Sequence, residues 1–394
     1  MAHRPRCIGL LWLTFFVTVL RCLFLWSVGI CERPPLASFV VAWLPLGRHR
    51  RPTVKRCAAT ILVGGENLID FIQKECDAGV DSLKPLPLYR ANPGGSPYNA
   101  AKALGRQLQE SECRVGYLTP VSQDSLGDLL AKQLQTADVE LLAPRRPEPT
   151  SLAVVSLREG VPSYQFYRDG TAERMISIAA LQASVPSGAT ALLLGSLALT
   201  AGADADIWAD FFCAQKEAGL FTALDPNIRP FFIPDRQMFM SRINRVLQRT
   251  DLIKLSDEDL QWLSNDASLD LDLRAAAGDM LASSSARVIV VTLGAKGAFA
   301  LTREGGNVIF VNASPDIALR DTVGAGDTFG ATLLASLAQT DQLSTEALDC
   351  MSAQDVELWL QRASIAAGIN CEREGCDPPS SKEIDAALDV KGRS

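Results

Sequence analysis

Histidine is almost missing: the 394 residues contain two, His3 and His49, and none from position 50 onward. That removes Ser-His-Asp and Cys-His catalysis, HExxH zinc sites and histidine proton shuttles for the body of the chain. Acid–base work there falls to carboxylates, lysine, tyrosine or cysteine. The ten cysteines (7, 22, 31, 57, 76, 113, 213, 350, 371 and 376) include no CxxC pair, and the closest two, Cys371 and Cys376, have no second pair or histidine to complete a metal site. They read as buried, reduced thiols in a reducing compartment. No Gly-Lys dipeptide occurs, which excludes a P-loop. No internal repeat or low-complexity tract is visible either.

Positive charge is scarce beyond the first 60 residues. The chain carries 38 Lys and Arg against 45 Asp and Glu, a formal charge of −7, yet residues 1–60 hold nine basic residues and one acid, Glu32. That stretch contributes +8 and leaves the remainder at −15. So acidic a body is a poor partner for nucleic acid, where clustered Lys and Arg must neutralise phosphates. Within the leader, Arg4 and Arg6 precede an apolar run at 8–20, which has signal-peptide length and falls short of the roughly 20 residues that span a bilayer. Residues 33–56 follow as a basic, acid-free segment. Together they predict a targeting leader over 1–57, a signal followed by a transit-like segment, and point to a plastid or other organelle. Cytoplasmic and membrane-anchored forms are the alternatives, and any membrane contact would run through an uncleaved leader. No methionine lies between Met1 and Met175 to offer a later start.

At 47% hydrophobic and 21% charged residues, the rest has the composition of a globular domain. From residue 58 short apolar runs alternate with longer amphipathic ones, the pattern of an α/β fold with a mainly parallel sheet. Strands are predicted at 58–63, 114–118, 189–194, 221–224, 251–255 and 287–292. Helices are predicted at 97–109, 127–136, 204–218, 234–248 and 271–284. Two regions break the rhythm. Residues 151–157 and 163–167 alternate apolar and polar around Arg158-Glu159-Gly160, a hairpin pattern, and 83–89 reads as a further edge strand. Strands of this kind, around 83–89 and 151–175, predict a small β lid over a cleft.

The chemistry concentrates in Asp321-Thr322-Val323-Gly324-Ala325-Gly326-Asp327-Thr328-Phe329, which leads into an apolar helical run ending near Ala338. Small residues just ahead of a helix leave backbone N–H groups free to face an anion, and the helix dipole adds to the attraction. Asp327 reads either as a cap for that helix or as a base that takes a proton from an attacking hydroxyl. The Gly324-Ala325-Gly326 run reaches Gly330 one residue too late for GxGxxG.

This segment resembles the C-terminal signature of the ribokinase (PfkB) sugar kinases. Gly94-Gly95-Ser96-Pro97-Tyr98-Asn99-Ala100-Ala101 resembles their N-terminal signature, at a spacing that also suits the family. Gly65-Glu66-Asn67-Leu68-Ile69-Asp70 is similar to the family's Gly-Glu-x-Leu-Ile-Asp. Asp169-Gly170-Thr171-Ala172-Glu173-Arg174-Met175, Asp225-Pro226-Asn227-Ile228-Arg229-Pro230 and Lys254-Leu255-Ser256-Asp257-Glu258-Asp259-Leu260 are similar to its bacterial fructokinase branch, and Thr292-Leu293-Gly294-Ala295-Lys296-Gly297-Ala298 resembles its strand-turn-strand along the nucleotide. The likeness runs from 58 to about 388. It implies a ribokinase-like three-layer sandwich over 58–394 that binds ATP and Mg²⁺ and phosphorylates a ketose, most simply fructose to fructose 6-phosphate. A 2-keto-3-deoxygluconate kinase, a ribokinase or a nucleoside kinase is the neighbouring alternative. From a different class, a fructokinase-like structural protein of plastid transcription complexes is a further one, which loss of the base or anion hole would favour.

By the same resemblance Asp327 is the general base, with the Gly324, Ala325 and Gly326 amides stabilising the transferring phosphoryl. Asp70, Gly94, Gly95 and Asn99 are expected to hold the sugar. Asn227, Lys254, Thr292, Gly294 and Gly297 are expected beside the nucleotide, and Asp259 to organise Mg²⁺ through water, although Ser256 stands where many members have Asn. Asp321, Val323 and the 373–380 loop would hold a monovalent cation, possible K⁺ dependence included, although Cys376 occupies a position usually given to a small residue. A homodimer paired through the lid strands is expected as well.

Overall fold

The computed structural model describes residues 58–73, 88–158, 161–264, 272–304, 306, 308–314 and 317–391. The chain divides into Met1–Val54 and Lys55–Ser394, and the expected leader lies outside the described residues. Within them, no helix is long and apolar enough to cross a membrane. The strands in chain order are β1 Thr60–Val63, β2 Leu68–Gln73, β3 Tyr89–Gly94, β4 Arg114–Tyr117, β5 Val139–Leu141, β6 Ser151–Arg158 and β7 Val161–Tyr167. They continue as β8 Ala189–Gly195, β9 Phe221–Asp225, β10 Leu252–Ser256, β11 Val288–Thr292, β12 Ala298–Thr302 and β13 Val308–Val311. The described helices of eight residues or more are α1 Ser96–Leu108, α2 Ser125–Thr136, α3 Ala203–Glu217, α4 Arg236–Leu247, α5 Asp257–Ser264, α6 Leu273–Ser283, α7 Ala325–Gln339, α8 Ala353–Cys371 and α9 Ser381–Lys391.

Nine strands form one sheet in the order β13-β12-β11-β10-β9-β8-β1-β4-β5. All neighbours from β5 to β11 pair in parallel, and β12 and β13 close the far edge as antiparallel strands. Strand side chains alternate between the faces, so each face gathers its own core. Ile61, Val63, Ala191 and Leu193 join α1, α2, α7 and α8 on one side. Leu62, Leu192 and Leu194 join Trp208, Phe211 and Phe212 of α3, Phe239 and Ile243 of α4, Leu260 of α5 and Leu281 of α6 on the other. The result is three layers, helix, sheet and helix. Because the run out of β1 goes to β4 on one side and β8 on the other, the carboxyl ends of the central strands frame a crevice where a ligand is expected.

The six predicted strands and five predicted helices all form, with ends shifted by no more than two residues. The second sheet departs from expectation. It has four strands in the order β3-β2-β6-β7. The β6–β7 pair is the predicted hairpin, antiparallel from Leu152 opposite Tyr167 to Arg158 opposite Val161. Most of the expected edge strand at 83–89 lies outside the described residues, and β3 covers Tyr89–Gly94. Strand β2 carries a motif but no strand pattern. Pro93 and Gly94 look like loop residues, yet Pro93 pairs with Ile69 on an edge strand, where a missing donor is tolerated. Helices α8 and α9 and strand β13 are likewise absent from the predicted elements, although Ser352 with Asp355 and Ser380 with Glu383 form the capping pairs that start the two helices.

Helix α1 links the fold to the crevice, because it carries the second glycine-rich segment and packs on the same core as α7. Leu104 is fully buried in that core. Leu104→Ala should therefore destabilise the protein by about 3 kcal/mol through lost burial and an unfilled cavity, read as a lower urea midpoint with an unchanged m-value.

Candidate active site

Gly324 caps α7 in the left-handed region, at φ 74°. A Cβ there would fall 2.4 Å from Cys376 Sγ, so glycine is required by both conformation and space. Asp327 follows in the first turn of α7 and is 9% exposed. Ser96 Oγ donates to its Oδ1 at 2.7 Å and Asn99 Nδ2 donates to its Oδ2 at 2.8 Å. Both donors come from the first turn of α1, whose cap Gly95 has φ 105°. Two helix amino ends therefore meet at one buried carboxyl. Burial raises its pKa, while Ser96, Asn99, Lys254 and Arg229 oppose the rise.

The three amides expected to form an anion hole are not equivalent. Ala325 N–H donates to Thr322 O at 3.2 Å in a tight turn. Those of Gly324 and Gly326 have no acceptor among the described residues, as expected for the first N–H groups of a helix.

On the sugar side, Asp70 lies on β2 and Gly94 ends the neighbouring β3. A Cβ on Gly94 would sit 2.2 Å from Asp70 Oδ2, and one on Gly95 would sit 2.6 Å from Glu66 O. The double glycine thus makes room for a carboxylate on one side and a peptide group on the other. Burial pushes Asp70 up to about 6. Asn99 departs from its expected part, since its amide nitrogen is committed to Asp327; its Oδ1 is buried without a partner among the described residues.

Two residues inside the family signatures gain a role that their sequence context does not reveal. Ser96 positions Asp327 through the Oγ bond to Oδ1. Glu66, 2% exposed, accepts the Ser96 N–H at 3.1 Å through Oε1 and keeps a buried, unpartnered Oε2 among the described residues. Burial raises Glu66 to about 7, Arg168 and Ser196 oppose the rise, and Glu173 adds to it. A hydroxyl at a helix start is an ordinary capping residue in sequence, and Glu66 lies in the loop between β1 and β2, thirty positions before the Ser96 amide it meets, so neither stands out there.

The nucleotide-side residues lie at or just beyond the carboxyl ends of β9, β10 and β11. Asn227 has φ 38°. Asp259 closes a capping box with Ser256: Oδ2 accepts the Ser256 N–H at 3.0 Å and Ser256 Oγ accepts the Asp259 N–H at 3.1 Å. Its Oδ1 accepts the Ile228 N–H at 2.6 Å, which ties the 226–228 loop to α5. Each oxygen keeps a lone pair for a metal-bound water. Lys254 turns inward and pairs with Asp225 Oδ2 at 2.9 Å. Thr292 ends β11, with Gly294 at φ 55° in an exposed turn beyond it. At Gly297 a Cβ would come within 2.0 Å of Val311 O.

The residues expected to hold a monovalent cation are engaged by protein donors. Asp321 Oδ1 accepts Val323 N–H at 3.0 Å and Oδ2 accepts Gly375 N–H at 2.8 Å, while Val323 O accepts from Asn370 Nδ2 at 2.8 Å. These bonds fasten the loop after α8 to the start of α7. Among the described residues no three His, Cys, Asp or Glu gather as a metal cluster.

Comparison with known proteins shows relatives of the sequence and of the fold. Residues 58–383 match the family model described as pfkB family carbohydrate kinase. A fructokinase of Rhizobium leguminosarum bv. trifolii is 34% identical over 287 residues, covering 73% of this chain and 82% of that one. Fructokinase-1 of Oryza sativa subsp. japonica is 30% identical over 332 residues, with 82% and 94% covered. Among solved structures, a fructokinase from Xylella fastidiosa with bound ATP superposes with a TM-score of 0.73 at 26% identity, over 84% of this chain and 99% of that one. The ribokinase of Giardia lamblia gives 0.69 at 20% identity over 85% and 100%, a likeness of fold.

Glu66 offers a direct test of the electrostatics. Its folded-state pKa lies above the ordinary 4.5, so the fold favours the protonated form. The stability this group supplies is complete below about pH 4.5 and is lost as pH rises through about 7. Glu66→Gln should escape that loss, by a margin on the order of 3 kcal/mol, so its melting temperature should match the parent near pH 4 and exceed it at pH 8. A constant offset across that range would contradict a titrating Glu66.

Proposed function

Since the chain belongs to the pfkB family of carbohydrate kinases and has their ribokinase-like α/β fold, we propose that this sugar kinase transfers the γ-phosphoryl group of ATP to the primary hydroxyl of fructose. The observation that carries the reading is the placement of Asp327: a carboxylate in the first turn of α7, held at both oxygens by Ser96 and Asn99. Asp327 takes the hydroxyl proton as the oxygen attacks the γ-phosphorus, and ADP leaves on the opposite side. The free amides of Gly324 and Gly326 and the α7 dipole receive the charge that develops on the transferring group. We assign Asp259 to the water shell of the Mg²⁺ that accompanies the phosphates. Asp70 receives sugar hydroxyls, and Gly94 and Gly95 let the sugar approach the backbone. The four-stranded sheet acts as the lid that keeps water from the phosphoryl group.

A neutral acceptor suits the charges around this crevice. Asp70, Glu66 and Asp327 all abut the start of α1. Arg168, the buried guanidinium that acts on Glu66, already spends one edge on Glu173, with Nε and Nη2 donating at 2.7 and 3.1 Å. Much of its charge is therefore met before any sugar acid arrives. Fructokinases are among the sequence relatives that cover most of the chain, which favours fructose over ribose.

Asp327→Asn should lower kcat by about 10²–10⁴ while leaving ATP affinity by calorimetry within a few-fold of the parent. Activity comparable to the parent would remove the base from Asp327. A coupled assay across fructose, ribose, adenosine and 2-keto-3-deoxygluconate, with and without K⁺, should give the highest kcat/KM on fructose. A clear preference for one of the others would reassign the acceptor.

A further inference from the structure

A lysine in the middle of a parallel sheet needs a reason. Lys254 sits on β10 between β9 and β11, with side chains of Lys254 and Asp225 only 9% and 12% exposed and a 2.9 Å bond between them. An isolated buried charge is strongly unfavourable, and even a paired one gains little over apolar packing. Hydrophobic residues would fill this layer as they do at Leu252, two positions away on the same face, and at Val290, opposite Lys254 on β11.

What lies above the pair is the first turn of α7. A Cβ on Gly326 would stand 3.3 Å from Lys254 Nζ. One on Gly330 would stand 3.6 Å from Lys254 Cδ and 3.7 Å from Asp225 Oδ2. Gly326 and Gly330 are four apart and share one helix face, and each glycine inside a helix costs about 1 kcal/mol relative to alanine. Without side chains the helix settles directly onto the ion pair. Ser96, Asp225, Lys254 and Asp327 line one crevice there. Asp225 Oδ1 is buried and unpartnered among the described residues.

We propose that the Lys254–Asp225 pair is a positioning device for the catalytic carboxylate: Lys254 supplies the buried positive charge behind Asp327, and Asp225 both anchors Lys254 and moderates its field. This rests on Asp327 acting as the base. The charged and titratable groups around Asp327 are Lys254 on β10, Asp225 on β9, Asp259 on α5, Arg229 in the loop after β9 and Cys376 in the loop after α8. Lys102 of α1 stands behind Cys376 and bonds its carbonyl, and Glu66 reaches the same helix turn through Ser96. Burial pushes the Cys376 thiol to about 12, so it stays neutral. Burial works against the charge on Lys254, but Asp225, Asp259 and Asp327 outweigh it and keep the ammonium protonated.

The two members of the pair must act with opposite sign, which a purely structural pair would not do. A carboxylate base works deprotonated, so the rise of kcat/KM with pH follows the pKa of Asp327. In the full chain, Lys254→Met should move that rise upward by about one pH unit, a roughly tenfold loss on the limb that recovers at alkaline pH. Asp225→Asn keeps the shape, leaves Lys254 unopposed and should move the rise downward. Lys254→Arg should leave it close to the parent. Circular dichroism and ADP binding verify the fold of each variant. An unmoved limb in Asp225→Asn, shifts of the same sign, or a loss uniform in pH overturns the proposal. If Lys254→Met does not fold, Asp225→Asn decides alone, and if neither folds the pair is structural and the proposal fails. Asp327→Asn separates the two assignments: an active Asp327→Asn removes the base, whereas an inactive one with an unmoved limb in Asp225→Asn removes only the pair.

Discussion

A carboxylate buried at a helix tip is the constraint around which this molecule is arranged. Taken out of water alone, such a group would take up a proton and lose its charge. Here its cost is offset from several directions at once. The α7 amino end faces it, Ser96 and Asn99 donate to its two oxygens, and a buried ammonium lies beneath the same turn. Each contribution comes from a different stretch of chain, so the carboxylate is stable only in the assembled fold.

That requirement explains several otherwise costly choices. Glycine stands at 324, 326 and 330, where a side chain would collide with Cys376 or crowd the Lys254–Asp225 pair. Gly94 gives its side-chain volume to the Asp70 carboxylate, and Gly95 takes a backbone angle that lets α1 start at the right place. Glu66, buried and raised to about 7, holds the Ser96 amide from behind. The crevice is therefore rich in carboxyls whose burial lifts them toward neutrality, a pattern common at functional sites. In the proposed function a −15 body receives a polyphosphate through local attraction, from backbone N–H groups and buried cations, with little owed to net charge.

The fold was largely legible in the order of apolar runs. The central strands are buried on both faces, so they appear as short uninterrupted apolar stretches between amphipathic helices, and pattern reading locates them within two residues. The small sheet was not legible in the same way. Strand β2 interrupts its apolar residues with Asp70, and β3 ends in Pro93-Gly94, which local rules assign to a turn. Only pairing across 68–73 and 89–94 makes them strands, and pairing between distant segments leaves no local trace.

For the site, residue types and spacing determined a good deal without coordinates: the absence of histidine narrowed any base to a carboxylate, lysine, tyrosine or cysteine, and the glycine-flanked Asp327 ahead of an apolar helix was the candidate carboxylate. What the tertiary structure alone decided is which groups surround that carboxylate. Asn99 bonds to Asp327, 228 positions away, Ser96 reaches across 231, and Lys254 turns from a nucleotide-side motif into the sheet to meet Asp225. Sequence records the chemistry a side chain can perform, whereas its partners are set by how helices and strands far apart in the chain come to pack, and hydrogen bonds and fields act over ångströms of space.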